Sequence, residues 1–194
     1  MAKQRNKKKN NFFKKNYKLA FDYFRESRNY FYSIVLIFTA SFLLGLFYPV
    51  FLEEFITQLF NELAGELVGV GWIQATLFIL YNNLKNSFIS MASGIFFGIV
   101  PIIASFLNGY VFGFVINTSA LSFKDVLIRT IPHGIFEIPA LFISLSIGMR
   151  FGFEIFKRKF WHNLENLLRV FLFIILPLLI IAAVIEGSLF VLLS

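Results

Sequence analysis

Two side chains that can exchange protons, His133 and Glu137, lie four residues apart in the apolar stretch 131–139. On a helix that starts at Pro132, residues four apart share one face, so the imidazole and the carboxylate can meet. Such a pair can hydrogen-bond and orient its helix, respond to protons, or supply two ligands to an ion. Three roles therefore stay open for it: a structural tie, part of a substrate or ion site, and a docking point for a partner.

A second acidic residue, Glu186, lies inside the last apolar run. A charge at the centre of a membrane helix costs roughly 2.5–3.5 kcal/mol, so Glu186 should face protein or water. A helix that starts near Val170 carries Glu186 about 24 Å along its axis, at a depth similar to that of the histidine and glutamate pair. The sequence predicts one polar cluster in the outer half of a bundle, either a structural network or a transport site. Its predicted members are His133, Glu137 and Glu186, with Asn108 or Asn117 beside them.

Catalytic signatures are incomplete in this chain. His133 and Glu137 resemble part of a zinc protease motif, but no second histidine follows at the required spacing. The stretch 91–94 lacks the first glycine of the Gly-x-Ser-Gly pattern of rhomboid-like proteases, and Asp22 and Asp125 are not paired in apolar helices. Cysteine is absent, which excludes cysteine nucleophiles and iron–sulfur clusters. We expect no catalytic residue, no metal and no cofactor, and the remaining catalytic interpretation is an enzyme for a lipid or cell-wall precursor.

The overall composition is typical of a membrane protein. Of the 194 residues, 58% are hydrophobic and 15% charged, and the mean hydropathy is +0.74. Average soluble chains are roughly 45–50% apolar and about one quarter charged. The apolar residues fall in uncharged runs of about 20, the length that crosses a hydrocarbon core. The sequence predicts an all-α, polytopic membrane helical bundle of about five transmembrane helices, in which a basic segment, 1–28, precedes a single domain, 29–194.

The run 86–118 is the hardest of the predicted crossings to divide. It carries no charge over 33 positions, but Pro101 and the pair Asn108-Gly109 interrupt it. Two full crossings need about 40 residues, so the run is either a tight hairpin of short helices or a re-entrant pair. Residues 70–81 are expected to dip only partly into the membrane. The predicted crossings are about 31–50, 86–104, 107–118, 131–149 and 170–192, with an amphipathic surface segment at 51–68.

Charge asymmetry predicts the sides of the membrane. Residues 1–28 carry ten basic and two acidic residues, and residues 150–169 carry five and two. Residues 51–85 carry Lys85 against four glutamates. The positive-inside rule then places 1–28 and 150–169 in the cytoplasm and 51–85 outside. We expect a multi-pass protein of the cell membrane with its N-terminus inside and its C-terminus outside.

The basic N-terminal segment also shows helical periodicity. Phe13, Tyr17, Phe21 and Phe24 recur among basic residues, which is typical of a helix lying on the inner leaflet. Each basic residue near an anionic surface contributes about 1 kcal/mol of attraction. We therefore expect this segment to bind lipid and not nucleic acid. The predicted headgroup contacts are Lys14, Lys15, Lys18, Arg25 and Arg28.

Several short motifs resemble those of the stage II sporulation protein M family. The most specific is Pro-His-Gly-Ile-Phe-Glu-Ile-Pro-Ala at 132–140, followed by Gly-Met-Arg-Phe-Gly at 148–152. Asn86 and Ile185-Glu186-Gly187 add to a likeness that covers about residues 25–193. Small residues at four-residue spacing, which let helices approach closely, belong to the same pattern. The motif and packing residues are Ser90, Gly94, Gly98, Gly109, Gly113, Pro132, Gly134, Gly148, Gly152 and Gly187.

This resemblance implies a five-helix membrane protein with a cytoplasmic N-terminus. In endospore-forming bacteria the family member works with two partner proteins that degrade peptidoglycan during engulfment, and it acts as a membrane scaffold. We therefore expect a scaffold or assembly protein whose partners are membrane lipids and other membrane or cell-envelope proteins, with a homo-oligomer also open. The alternative is a small oligomeric channel or transporter with the His133, Glu137 and Glu186 cluster on its path. The process served outside sporulation stays open.

Overall fold

The structure of this chain is a computed structural model, which describes residues 2–51, 53–58, 71–119, 123–155 and 160–193. Every regular element in these residues is helical, as the composition predicted. A 3₁₀ turn, Ser93–Ile95, follows α3, and a wide π turn, Phe171–Ile175, joins α6 to α7. The helices are α1 (Ala2–Glu26), α2 (Arg28–Phe47), α3 (Trp72–Ala92), α4 (Ile99–Thr118), α5 (Phe123–Glu154), α6 (Phe160–Val170) and α7 (Leu176–Leu193).

Helices α2 and α4 form a parallel pair. The Ser105 hydroxyl donates to the carbonyl of Ile34 at 3.0 Å, and the Asn117 amide donates to the carbonyl of Leu46 at 2.9 Å. The two residue numbers rise together along the contact, so α4 runs in the same direction as α2. The chain between them must therefore return across the bundle, and α3 provides that return.

Helix α3 lies antiparallel to α7. Thr76, near the start of α3, packs against Gly187 near the end of α7. Phe88, near the end of α3, meets Phe171 just before α7, with ring centroids 5.3 Å apart. Helix α5 in turn runs opposite to α2, since Arg150 reaches Ser27 while Phe142 contacts Phe38. The two ends of the bundle are named below after Arg150 and Gly187.

The helix break in the 86–118 run lies at 93–98, between α3 and α4. The expected ends at 104 and 107 are wrong, because α4 continues through Asn108. Gly98 makes the turn possible: its φ of 72° lies in the left-handed region, and an added Cβ would lie 2.8 Å from the Met149 carbonyl. Pro101 does not interrupt α4, because it lies in the first turn, where an amide N–H has no helical partner.

Within the described residues, four helical stretches are long and apolar enough to cross a membrane: Arg28–Phe47, Ile99–Thr118, Gly134–Glu154 and Phe160–Leu189. Helix α3 has the length, 21 residues, but carries Asn82, Asn83 and Lys85 near its middle. Residues 72–81, expected as a short and partly dipped segment, open the 21-residue helix α3, which runs along α7. Of the predicted surface segment 51–68, residues 53–58 are helical and all but Ile56 are exposed, while 52 and 59–68 lie outside the described residues.

Prolines shape the two longest helical stretches. Helix α5 contains Pro132 and Pro139 and continues through both to Glu154. Pro177 has no N–H for the carbonyl of Phe173, and the wide turn of Phe171–Ile175 lies immediately before it. The main core lies where α1, α3, α5, α6 and α7 meet. Its most buried members include Ala20, Met91, Ile147, Leu167, Val170, Ile175 and Leu179.

Candidate functional site

Glycines position the last turns of α5 at the Arg150 end. A Cβ on Gly148 would lie 2.6 Å from the Ser90 carbonyl, and one on Gly152 would collide with Gly94 and Gly98. The backbone of α5 therefore touches the end of α3 and the turn that follows it. This close approach fixes the height and rotation of α5, and with them the direction in which Arg150 points.

Arg150 joins the end of α5 to the end of α1. Its guanidinium donates to the Tyr23 carbonyl and the Ser27 hydroxyl, both at 2.9 Å, and pairs with Glu26 at 3.1 Å and Glu154 at 3.3 Å. It also stacks on the Tyr23 ring, 4.0 Å from the centroid. Only 11% of the Arg150 side chain is exposed. These contacts fasten the α1–α2 junction to the bundle.

Tyr23 is the buried titratable group of this junction. Burial raises the pKa of Tyr23 to about 12, although the neighbouring Arg150 charge lowers it. Its phenolic oxygen is buried and has no hydrogen-bond partner in the described residues. The Tyr23 side chain is thus neutral at physiological pH, and it contacts Arg150 through its ring and not through its hydroxyl.

A second arginine holds α1 against α6. Arg169 donates to the side-chain oxygens of Asn16, at 3.0 Å, and Asn166, at 2.8 Å, and pairs with Glu165. The Asn166 amide also meets the ring of His162 at 2.9 Å. Phe13 of α1 meets Phe173 in the wide turn that follows α6, at 6.2 Å between centroids. Residue numbers rise in α1 as they fall in α6, so the pair is antiparallel.

Three faces follow one another around α1. Asn16, Ala20, Tyr23 and Ser27 face the bundle and are buried. The aromatic face expected at the inner leaflet is exposed at Phe13, Tyr17 and Phe21, while Phe24 is half-buried on the core. The side chains of Lys14, Lys15, Lys18, Arg25 and Arg28 are exposed. The helix therefore presents aromatic and basic surfaces side by side, as a membrane-surface helix requires.

The predicted polar cluster is only partly brought together. Glu137 lies three residues before the buried Ala140 on α5, about 20 Å along the helix from Arg150. Glu186 lies seven residues after the buried Leu179 on α7, next to Gly187. The side chains of Glu137 and Glu186 are both half-buried and lie toward the Gly187 end. Each is on the helix face that carries buried core residues further along the same helix. The side chain of His133 lies outside the described residues.

The two asparagines proposed for that cluster lie elsewhere. Asn108 is exposed on α4 and its amide donates to the Ala104 carbonyl of its own helix at 2.8 Å. Asn117 binds the Leu46 carbonyl of α2. Helix α4 packs chiefly on α2 and α5, away from α7. The depth of a residue along its helix can be counted from the sequence, but the side of the bundle that it faces cannot. Asn108 and Asn117 face a different side of the bundle from Glu137 and Glu186.

Sequence reasoning missed three features of the site. Arg150 was noticed only as part of a motif, although a charge at the end of an apolar run between glycines two residues away on each side is a usable signal. Gly45 was not singled out, yet a Cβ there would collide with the Tyr110 carbonyl. Lys85 was counted only as a charge of the outer region 51–85 but lies within α3.

Several apolar helices, with a basic and aromatic helix bound to one end of them, define a polytopic helical membrane protein. The family model described as stage II sporulation protein M matches residues 30–189. This chain therefore belongs to the stage II sporulation protein M family. The match includes the 132–140 motif, Arg150 with its glycines, and Glu186.

A relative in an archaeon shares part of this sequence. The uncharacterised protein MJ0793 of Methanocaldococcus jannaschii is 36% identical over 80 residues, which is 40% of this chain and 45% of that protein. The chain thus matches less than half the length of this relative. No solved structure matches the chain.

Proposed function

We propose that this chain is a membrane scaffold or assembly protein, which acts through partner proteins and is not catalytic itself. The observation that carries the proposal is the backbone-on-backbone packing of its helices at glycines. Cβ atoms on Gly45 and Gly113 would collide with carbonyls of α4 and α2, and one on Gly94 would collide with Gly148. Close packing of this kind makes interiors rigid, and a rigid frame can hold partners in fixed positions.

The frame carries surfaces suited to partners and lipid. The aromatic and basic faces of α1 are held in place by Arg150 and Arg169, which bind it to α5 and α6. Large apolar side chains of α2 and α4, such as Leu36 and Ile103, are exposed over the length of both helices. In our proposal lipid covers part of this surface, and another membrane or cell-envelope protein or a second copy of the chain covers the rest.

In the same proposal the protein lies in the cell membrane with the Arg150 end in the cytoplasm. Basic residues outnumber acidic ones ten to two in 1–28 and five to two in 150–169. Arg150 and Arg169 bring these two regions to the same end of the bundle, which supports a common side. The Gly187 end, with the C-terminus, then faces outward.

Purification from native membranes tests the scaffold. A lipid-permeable crosslinker is added before solubilisation, and adducts of the full chain are identified by mass spectrometry. We expect the same membrane or cell-envelope protein in every preparation, in a fixed ratio to this chain. A chain that purifies alone after crosslinking, with no reproducible partner, would contradict scaffolding.

The observation that favours a channel or transporter is the pair of half-buried carboxylates, Glu137 and Glu186, toward one end. The buried hydroxyl of Thr76, which packs on Gly187, has no hydrogen-bond partner in the described residues, so the neighbourhood could take up a further polar ligand. Flux into proteoliposomes should then depend on pH and weaken in Glu186→Gln. Absence of flux for protons, common ions and small solutes would remove this candidate.

A further inference from the structure

Helix α3 carries polar side chains along its outward face. Gln74, Tyr81 and Lys85 are exposed and recur at helical spacing, seven and four residues apart. Beside them, the Asn86 amide donates to the side-chain oxygen of Asn82 at 3.4 Å. Exposed polar groups are ordinary on a soluble protein but not on a helix that packs along the apolar α7.

The contacts of α3 place this face beside the apolar helix α7. Thr76 lies at the level of Gly187 and Phe88 at the level of Phe171. Lys85 lies between those two levels. Met91 packs on Gly148, two residues before Arg150, so helical rise puts Lys85 about 12 Å from the level of Arg150. A stem of four methylenes covers only about half of that distance, so the ammonium group does not reach the level of Arg150.

Lys85 makes no ion pair within the described part of the chain. Glu26 and Glu154 are bound to Arg150. Glu186 lies near the level of Thr76, about 14 Å from Lys85 along α3, and Glu137 lies about 8 Å from the level of Lys85, because it is about 20 Å from Arg150 and Lys85 is about 12 Å. An unpaired lysine inside a membrane costs roughly 2.5–3.5 kcal/mol on insertion scales, and such residues normally have a partner.

We infer that the outward face of α3 is the docking surface for a transmembrane helix of a different protein, which carries an aspartate or glutamate at the depth of Lys85. This inference rests on the proposed scaffold function and names its partner class. The carboxylate accepts from the Lys85 ammonium group, and the hydroxyl of Tyr81 and the amides of Asn82 and Asn86 bind polar groups on either side.

The charge of Lys85 favours a helix of another protein over a second copy of the chain or lipid. Two copies of the chain that met at α3 would bring two Lys85 ammonium groups together, which is repulsive in a medium of low dielectric. Lipid phosphates at the level of Arg150 would lie about 12 Å from Lys85 along the helix, about twice the length of its stem. A helix with one carboxylate neutralises the lysine and covers exposed apolar neighbours such as Leu77 and Ile89 in the same contact.

Site-specific photocrosslinking in native membranes tests the inference on the full chain. A photoreactive amino acid replaces Tyr81 or Ile89 on α3, and in a matched control it replaces Leu36, which is exposed on α2. We expect the α3 positions to give one adduct, a protein with an aspartate or glutamate inside a transmembrane segment. Lys85→Glu should reduce that adduct at least tenfold, Lys85→Arg should retain it, and the reciprocal carboxylate→Lys change in the partner should restore it.

Other outcomes separate this inference from the scaffold proposal. A second copy of this chain as the adduct, or lipid alone, overturns the inference, and so does an adduct that Lys85→Glu leaves unchanged. A partner captured only at Leu36 overturns the α3 surface while the scaffold stands. No protein adduct at any position, together with a chain that purifies alone, overturns both. Lys85→Arg, which keeps the charge, shows whether a loss in Lys85→Glu comes from misfolding or from the changed sign.

Discussion

At the scale of single residues, a few polar side chains with many interaction partners hold the helices together. Arg150 shows this best, because its guanidinium serves two carboxylates, a carbonyl, a hydroxyl and an aromatic ring at once. Lys85 shows the opposite, a cation with no ion pair in the described residues. The first residue is a tie within the chain, and the second is a point at which we expect another protein.

Removal of the Arg150 charge should destabilise the junction of α1 and α5. Arg150→Met leaves Glu154 without its cation and removes two buried hydrogen bonds near the end of α1, a loss of about 1–3 kcal/mol, because Glu26 is largely exposed and is screened by solvent. Thermal unfolding in detergent should show a clearly lower midpoint. The control is Arg25→Met, which removes an exposed pair with Asp22 and should change the midpoint little. Equal shifts of the unfolding midpoint in both variants would contradict the role of Arg150 in holding α1 against α5.

The hydroxyl of Tyr23 should contribute nothing favourable at neutral pH. It is buried without a partner, so Tyr23→Phe keeps the ring under Arg150 and should be neutral or stabilising by about 1 kcal/mol. The unfolding midpoint measures this. A marked loss of stability at neutral pH would mean that the hydroxyl has a partner.

The same substitution has a pH signature at alkaline pH. The pKa of Tyr23 rises from 10.0 to about 12 on folding, so the unfolded chain loses this proton first as the pH rises. Stability is therefore fully present below pH about 10 and falls by up to about 3 kcal/mol as the pH approaches 12. Unfolding midpoints between these pH values should fall more steeply in the wild type than in Tyr23→Phe. Parallel slopes would contradict the burial of the phenol.

At the scale of elements, α2 and α4 depend on glycine at their contact. A methyl group on Gly113 would collide with the Phe42 carbonyl, and the neighbouring helix offers only backbone there. Gly113→Ala should cost about 1–3 kcal/mol, as overpacking does, and should lower the yield of monodisperse protein. Gly71→Ala is the control, because nothing lies within 4 Å of that position. Identical behaviour of the two variants would contradict the parallel pair.

The sequence predicts α2 and α7 well because uncharged runs of membrane length leave little choice. It fails at α3, since Asn82, Asn83 and Lys85 interrupt the apolar pattern of a 21-residue helix that packs on α7. The break at 93–98 was missed because Gly94 and Gly98 are four residues apart. This is the spacing of small residues on a continuous helix that packs closely on another, although here the two glycines belong to a turn. The partners of Arg150 on α1 lie more than 120 residues away in the chain, and no local pattern encodes such a distance.

At the scale of the whole molecule, the two ends of the bundle differ in character. The Arg150 end holds α1, α6 and most of the basic residues, bound together by Arg150 and Arg169. The Gly187 end holds the carboxylates Glu137 and Glu186 and the start of α3. A scaffold with such polarity would hold one partner through α3 within the membrane while α1 rests on one leaflet.

Impermeant thiol labelling tests which end faces the cytoplasm, and the chain suits it because it has no cysteine. Gly71→Cys places one thiol at the start of α3, in open space at the Gly187 end, and Lys18→Cys places one on the exposed basic side of α1. In intact cells a charged maleimide should label Gly71→Cys, whereas Lys18→Cys should react only after permeabilisation. The reverse pattern would place α1 outside, against the excess of basic residues at the Arg150 end, and would remove the inner leaflet as its lipid partner.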